Sequence, residues 1–181
     1  MTGEGALEFR LLGPLEARIE DAPLALGGRR QRALLTILLI RANELVARDR
    51  LIDELWRDHA PESAGNALAA LVVRLRRVLP DGVLVTGSGG YEVRVEPDSV
   101  DLFRFERLLE EGSRLLAARD AEAAADRLHS ALSLWRGPPL ADFTYEPFAE
   151  PTIRRFEELR LGALENRIDA DLALGRHADV I

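Results

Sequence analysis

Apolar positions change their spacing along this chain, and the changes divide it into elements. Runs from Leu7 to Leu12, Leu15 to Ile19 and Leu24 to Leu26, separated by Gly13-Pro14 and by Glu20 to Pro23, predict a small antiparallel sheet. From Arg30 to about Arg41 the spacing becomes helical, with Leu34, Leu35, Leu38 and Leu39 recurring and Asn43 as a stop. A second helix fits Arg48 to Arg57, burying Leu51, Ile52, Leu55 and Trp56. A third fits Ser63 to Leu79, with Leu68, Leu71, Val72, Leu75 and Leu79 on one face and Pro80 ending it. Val83 to Val85 and Tyr91 to Val95 then flank Gly87-Ser88-Gly89-Gly90, which is a hairpin signal.

The remainder is helical in pattern. Asp101 is placed to cap a helix running to about Ala118, and Ala121 to Trp135 forms an alanine-rich second helix. After the Gly137-Pro138-Pro139 break, a long helix is predicted from about Phe148 or Pro151 to Leu174, capped at Gly175. The expected fold class is therefore an α+β winged helix, three helices followed by a hairpin, joined to an all-α tetratricopeptide-like helical domain. Glu96-Pro97-Asp98 marks the boundary, giving domains 1–97 and 98–181. Ile181 lies six residues past Gly175, so the second domain is expected to be incomplete.

Composition narrows the chemistry. The chain has 181 residues, 47% of them hydrophobic, enough to bury a core, and it contains no cysteine, which excludes disulfides and thiolate chemistry. The aliphatic stretch Ala33 to Ile40 is far too short to span a bilayer and the start lacks a signal-peptide pattern, so a cytoplasmic protein without a membrane partner is expected. Net charge is −7, which argues against a generic nucleic-acid binder until it is divided. Residues 1–97 hold 13 Arg and 14 acids, whereas residues 98–181 hold 11 Arg and 17 acids. The first part is therefore at −1 and the second at −6. There is no lysine, so every cation apart from histidine and the chain's amino terminus is a guanidinium.

Within the third helix, the stripe from Leu68 to Leu79 places Asn66, Ala70, Val73 and Arg77 on the opposite face, with Arg74 and Arg76 on the flanks. Guanidinium groups match phosphate and guanine edges with two parallel hydrogen bonds, which suits this face to a phosphate-lined groove. The same cluster also suits a solvated helix end, where cations favour the negative end of the dipole. Arg29, Arg30 and Arg32 near the first helix start, with Arg48 and Arg50 at the second, are candidates for a sequence-independent grip. Gly87 to Gly90 lacks the Lys-Ser/Thr ending of a phosphate loop and precedes a strand, so no nucleotide site or other cofactor is expected. His59, His129 and His177 are dispersed without metal-site spacing, and no catalytic set of residues assembles. Trp135 is expected to pack between helices.

The run RRQRALLTILLIRANELVARDRLIDELW, then NALAALVVRLRRVL and VLVTGSGGYEVRV, resembles the OmpR-type winged helix of the Streptomyces antibiotic regulatory proteins. The continuation DLFRFERLLEEG, ALSLWRGPPLADF and EPFAEPTIRRFEELRLGALENRIDADLALGRH resembles the bacterial transcriptional activation domain that follows it in those regulators. The resemblance implies a non-enzymatic transcription activator that binds direct repeats in double-stranded promoter DNA, often as a side-by-side homodimer, and contacts RNA polymerase. Carried over by position, it implies that Asn66, Arg74, Arg76 and Arg77 lie on the recognition helix, with Arg30, Arg32 and Arg48 as phosphate contacts. Family members commonly carry Gln at the position of Ala69, Ser at that of Val73 and Arg at that of Gly87, so hydrogen-bonded base reading is expected to be thinner here. The alternative is a protein-interaction module, with the winged helix as scaffold and little sequence-specific DNA binding.

Overall fold

The computed structural model of the chain describes residues 6–176; His177 and Ile181 lie outside them. Strands β1 (Leu7–Arg10) and β2 (Glu16–Ile19) pair antiparallel, with Leu7 opposite Ile19 and Arg10 opposite Glu16. β3 (Ala22–Pro23) adds to the far edge of β2, earlier than the expected Leu24 to Leu26. The cause is the turn: Glu20 and Asp21 take φ of 48° and 69° and close a two-residue hairpin whose twist matches the strands. Pairing resumes at once, and Leu26 is buried in the core beyond it.

Helices α1 (Arg29–Ile40), α2 (Arg48–Trp56) and α3 (Ala64–Arg76) fall where the apolar spacing places them. α1 is central, with every residue from Leu34 to Leu39 inaccessible to solvent. Its one polar residue there, Thr36, donates its hydroxyl to the Arg32 carbonyl at 2.9 Å. Asn43, at φ 66°, stops the chain beyond α1 by bonding to the hairpin. Its N–H donates to Val93 O at 2.8 Å, while its side chain donates to Val95 O and accepts from Val95 N–H, both at 3.0 Å. A strand absent from the hydrophobic pattern, β4 (Val46–Ala47), completes a second sheet with β5 (Leu84–Gly87) and β6 (Gly90–Val93) in the order β4-β6-β5. Three helices and this hairpin form the winged helix.

A short turn, Pro97–Ser99, leads into α4 (Asp101–Ala117), α5 (Ala121–Leu132) and α6 (Glu150–Ala173), with α5 packed against both neighbours. Small residues make the packing close: Ala124, Ala125, Ala131, Ala163 and Ala170 are buried, and a Cβ on Gly112 would stand 2.7 Å from Leu128 Cγ. Phe105 meets Trp135 edge to face at 5.4 Å between ring centres and Phe156 at 6.1 Å, so Trp135 packs between helices as expected. Asp120 caps α5 through the Ala123 N–H at 3.2 Å. Gly175, at φ 71°, closes α6, with Gly175 N–H donating to Leu172 O and Arg176 N–H to Asp171 O.

Asp101 does not cap its own helix, since Val100 occupies that position. Its carboxylate accepts the N–H groups of Leu11 at 2.7 Å and Leu12 at 2.9 Å, fastening α4 to the segment between β1 and β2. Burial pushes its pKa up to about 6, against the opposing pull of those two N–H groups and of Arg136 and Arg104. The same segment accepts from the backbone of the helical half: Arg136 N–H to Leu12 O, Leu140 N–H to Leu11 O and Ala141 N–H to Gly13 O. Leu11, Leu12 and Leu15 accordingly share one hydrophobic cluster with α1, α3, Phe105, Leu140 and Phe143. On its outer side α6 exposes Leu161, Leu164, Ile168 and Leu172. Among the described residues no helix is long and apolar enough to cross a membrane.

Candidate nucleic-acid interface

Leu68, Leu71, Val72 and Leu75 anchor α3 to the core, and the helical period turns Asn66, Ala70, Val73 and Arg77 outward, with Arg74 alongside. All five are exposed, Val73 by 49%. No acid lies between Ala64 and Arg77. The face therefore presents two guanidiniums, one amide and an apolar patch of Ala70 and Val73.

Arg76 turns from this face to the wing. Its Nε donates to Leu84 O at 2.9 Å and its Nη2 to Thr86 Oγ1 at 2.7 Å, tying the end of α3 to β5. Arg48 opens α2 beside the hairpin: its N–H donates to Gly89 O at 3.0 Å and its guanidinium lies over the Tyr91 ring, 5.4 Å from the centre. Arg30 lies over Trp56 at 5.8 Å and lines one groove with Trp56, Ala70 and Arg74. Such stacking is worth about 0.5–1 kcal/mol at an exposed site and aims the cation without neutralising it. Arg32, expected as a phosphate contact, is instead engaged within the chain. Its Nη2 donates to Asp142 Oδ2 at 2.6 Å and to Leu15 O at 2.9 Å. Arg29 donates to Glu146 at 2.7 Å, and Arg50 shares Glu54 with Arg41.

Among the described residues, the arginines without a carboxylate partner within 4.0 Å are Arg30, Arg48, Arg57, Arg74, Arg76 and Arg77 in the winged helix, with Arg119 and Arg160 beyond it. The unpaired guanidiniums of the winged helix thus lie along α3 and its end, at the start of α1 and at the two ends of α2, with Arg30 and Arg74 lining one groove. Arg57 was not among the sequence candidates; it follows α2 at φ 50°, a conformation that nothing in its neighbours announces. The stacking of Arg30 on Trp56 and of Arg48 on Tyr91 was equally invisible, because the pattern placed Trp56 among buried residues and Tyr91 in a hairpin strand without marking either ring as the seat of a cation.

A helix with an exposed cationic and small-residue face, backed by two further helices and flanked by a hairpin wing, is the arrangement of winged-helix transcription regulators. Residues 23–91 match the family described as "Transcriptional regulatory protein, C terminal", and residues 100–181 match "Bacterial transcriptional activator domain". Regulatory protein AfsR of Streptomyces coelicolor is 41% identical over 98% of this chain and 18% of its own length. Regulatory protein DnrI of Streptomyces peucetius is 34% identical over 97% of this chain and 68% of its own. The structure of Mycobacterium tuberculosis EmbR in complex with a low-affinity phosphopeptide superposes with a TM-score of 0.93 at 34% identity, covering 98% of this chain and 48% of that one. The chain thus spans under a fifth of AfsR and about half of that EmbR chain. It belongs to the Streptomyces antibiotic regulatory protein family.

Proposed function

We propose that this chain binds duplex promoter DNA and activates transcription, with α3 in the major groove and the β5–β6 hairpin beside the backbone. The observation that carries this reading is that six of the eight arginines without a carboxylate partner among the described residues belong to the winged helix, with Arg74, Arg76 and Arg77 along α3 and its end and Arg30 lining one groove with Arg74. Arg74 and Arg77, with Asn66, face the bases and adjoining phosphates; Arg30, Arg48 and Arg57 grip phosphates on either side. Arg76 serves by holding the wing to α3, and Arg32 by holding α1 to the helical half. Val73 and Ala70 suit contact with thymine methyl groups, which carries less discrimination than a bidentate hydrogen bond.

In this reading residues 1–97 bind DNA and residues 98–181 face protein. Two copies bind direct repeats side by side in the cytoplasm, and the acidic helical half contacts RNA polymerase. The mechanism is binding, with no catalytic step. The test is duplex binding across a salt series, together with selection of sites from random duplexes. Binding should weaken steeply with salt, and Arg74→Ala with Arg77→Ala should flatten the slope by about 2 in log–log terms. Salt-independent binding, or none at low salt, refutes the reading.

The exposed stripe Leu161, Leu164, Ile168 and Leu172 favours a second reading, a protein-interaction module. Under it, the two arginine substitutions leave partner binding intact while Leu164→Asp with Ile168→Asp abolishes it.

A further inference from the structure

The first turn of α1 is built against its own electrostatics. Arg29, Arg30 and Arg32 crowd the positive end of the helix dipole, and no acid lies in that turn. Gly28 offers no side-chain cap, and Gly27 before it sits at φ 78°. The stabilising groups come from the other half of the chain. Asp142 Oδ2 accepts from Arg32 Nη2 at 2.6 Å and also from the Leu15 N–H at 2.8 Å, while Arg32 reaches Leu15 O. Glu146 Oε1 accepts from Arg29 Nη2 at 2.7 Å. Arg29 and Arg32, three residues apart, share one side of the helix. Arg30 points away from them, toward Trp56 and the groove it shares with Arg74.

We infer that Asp142 and Glu146 are positioning residues for the DNA face: the helical half holds the first turn of α1 so that Arg30 and the free N–H groups of that turn stay aimed at phosphate. This rests on the DNA-binding reading above. It also makes a sign prediction opposite to simple charge. Two carboxylates near a phosphate-binding surface repel DNA, so on charge alone their removal strengthens binding. As positioning groups, their removal weakens it.

The test uses the full chain, a mixed-sequence duplex at low salt, and the variants Asp142→Ala, Asp142→Asn and Asp142→Ala with Glu146→Ala. Glu158→Ala, on the exposed side of α6, removes the same charge away from the site. Asp142→Ala should bind about fivefold more weakly and the double variant more weakly still, as for coupling carried through packed elements. Asp142→Asn keeps an acceptor for the Leu15 N–H, guards against loss of fold, and should fall between wild type and Asp142→Ala. Glu158→Ala should bind as well as wild type or slightly better. Amide exchange supplies the readout independent of DNA: protection from Arg32 to Thr36 should drop in Asp142→Ala while α3 stays protected. Equal or tighter binding by Asp142→Ala, or unchanged exchange in α1, overturns the inference while leaving the DNA-binding reading standing. A wild type that binds no duplex overturns both, and is recognised as such before any variant is compared.

Discussion

Replacing Gly90 by alanine probes the closest backbone approach in the wing. A Cβ there would stand 2.2 Å from Val46 O, 2.8 Å from Val46 C and 3.2 Å from Ala47 Cα, all main-chain atoms that no rotamer change can move. Carbon–oxygen contact is comfortable near about 3.3 Å, so β4 and β6 must part by roughly 1 Å. That separation strains the Ala47–Gly90 pairing and the bond from Arg48 N–H to Gly89 O. Overpacking of this kind costs about 1–3 kcal/mol and each weakened hydrogen bond about 1 kcal/mol, which together give about 3 kcal/mol. Two neighbouring glycines are internal controls. Gly89 has open space but φ 83°, so alanine there costs about 1 kcal/mol. At Gly87 the nearest atom is Leu45 Cδ1 at 2.5 Å, the end of a half-exposed side chain that can swing aside, so alanine should fall within about 0.5 kcal/mol of wild type. Urea unfolding at constant m-value measures all three. A Gly90→Ala protein as stable as wild type, or a Gly87→Ala protein as damaged as Gly90→Ala, would show that the argument from backbone approach is wrong.

Gly87→Arg places a cation on the wing; with Leu45 displaced it should tighten duplex binding and steepen the log–log salt slope by about 1, measured by titration at several salt concentrations. Asp101 supplies a pH dependence. Its folded pKa of about 6 lies above the ordinary 3.8, so its contribution is fully present below pH 3.8 and is lost as pH rises through 6. At about 1.4 kcal/mol per pH unit, wild type should lose about 3 kcal/mol relative to Asp101→Asn between pH 3.5 and pH 7 in paired urea melts. Arg76 and Arg77 should separate cleanly although adjacent. Arg76→Ala loses two bonds to β5 and about 1–2 kcal/mol of stability with little change in salt slope; Arg77→Ala leaves stability within about 0.5 kcal/mol and lowers the slope by about 1.

The helices and the hairpin were legible because each is encoded locally, in a 3.6-residue apolar period or a glycine turn between β-branched runs. β4 was not, since two residues, Val46 and Ala47, carry no period and become a strand only by lying beside β6. The misplaced β3 has a similar cause: Glu20 and Asp21 adopt positive φ without the glycine or asparagine that marks such turns. Asp101 looked like a cap because the first turn of a helix is where a cap belongs, but its partners lie 90 and 89 residues earlier. For the candidate site, the outward side of α3 followed from its buried side, which placed Asn66, Arg74 and Arg77. The fates of Arg32 and Arg76 depended on Asp142 and Thr86, and residue type alone cannot separate a guanidinium with a partner from one without.

The segment Gly13–Leu15 bears on how such regulators recombine. It is encoded with the winged helix, yet Gly13 O and the Leu15 N–H bond to Ala141 and Asp142, and Leu15 lies in the shared core. A chimera spliced at Pro97 would therefore set a foreign helical half on a loop shaped for another. Carrying residues 98–176 together with the β1–β2 hairpin keeps the bonds of Asp101, Arg136, Leu140, Ala141 and Asp142 to residues 11–15 within the exchanged piece. Exchanges that carry both pieces should fold with native cooperativity, whereas exchanges at Pro97 alone should melt in two steps.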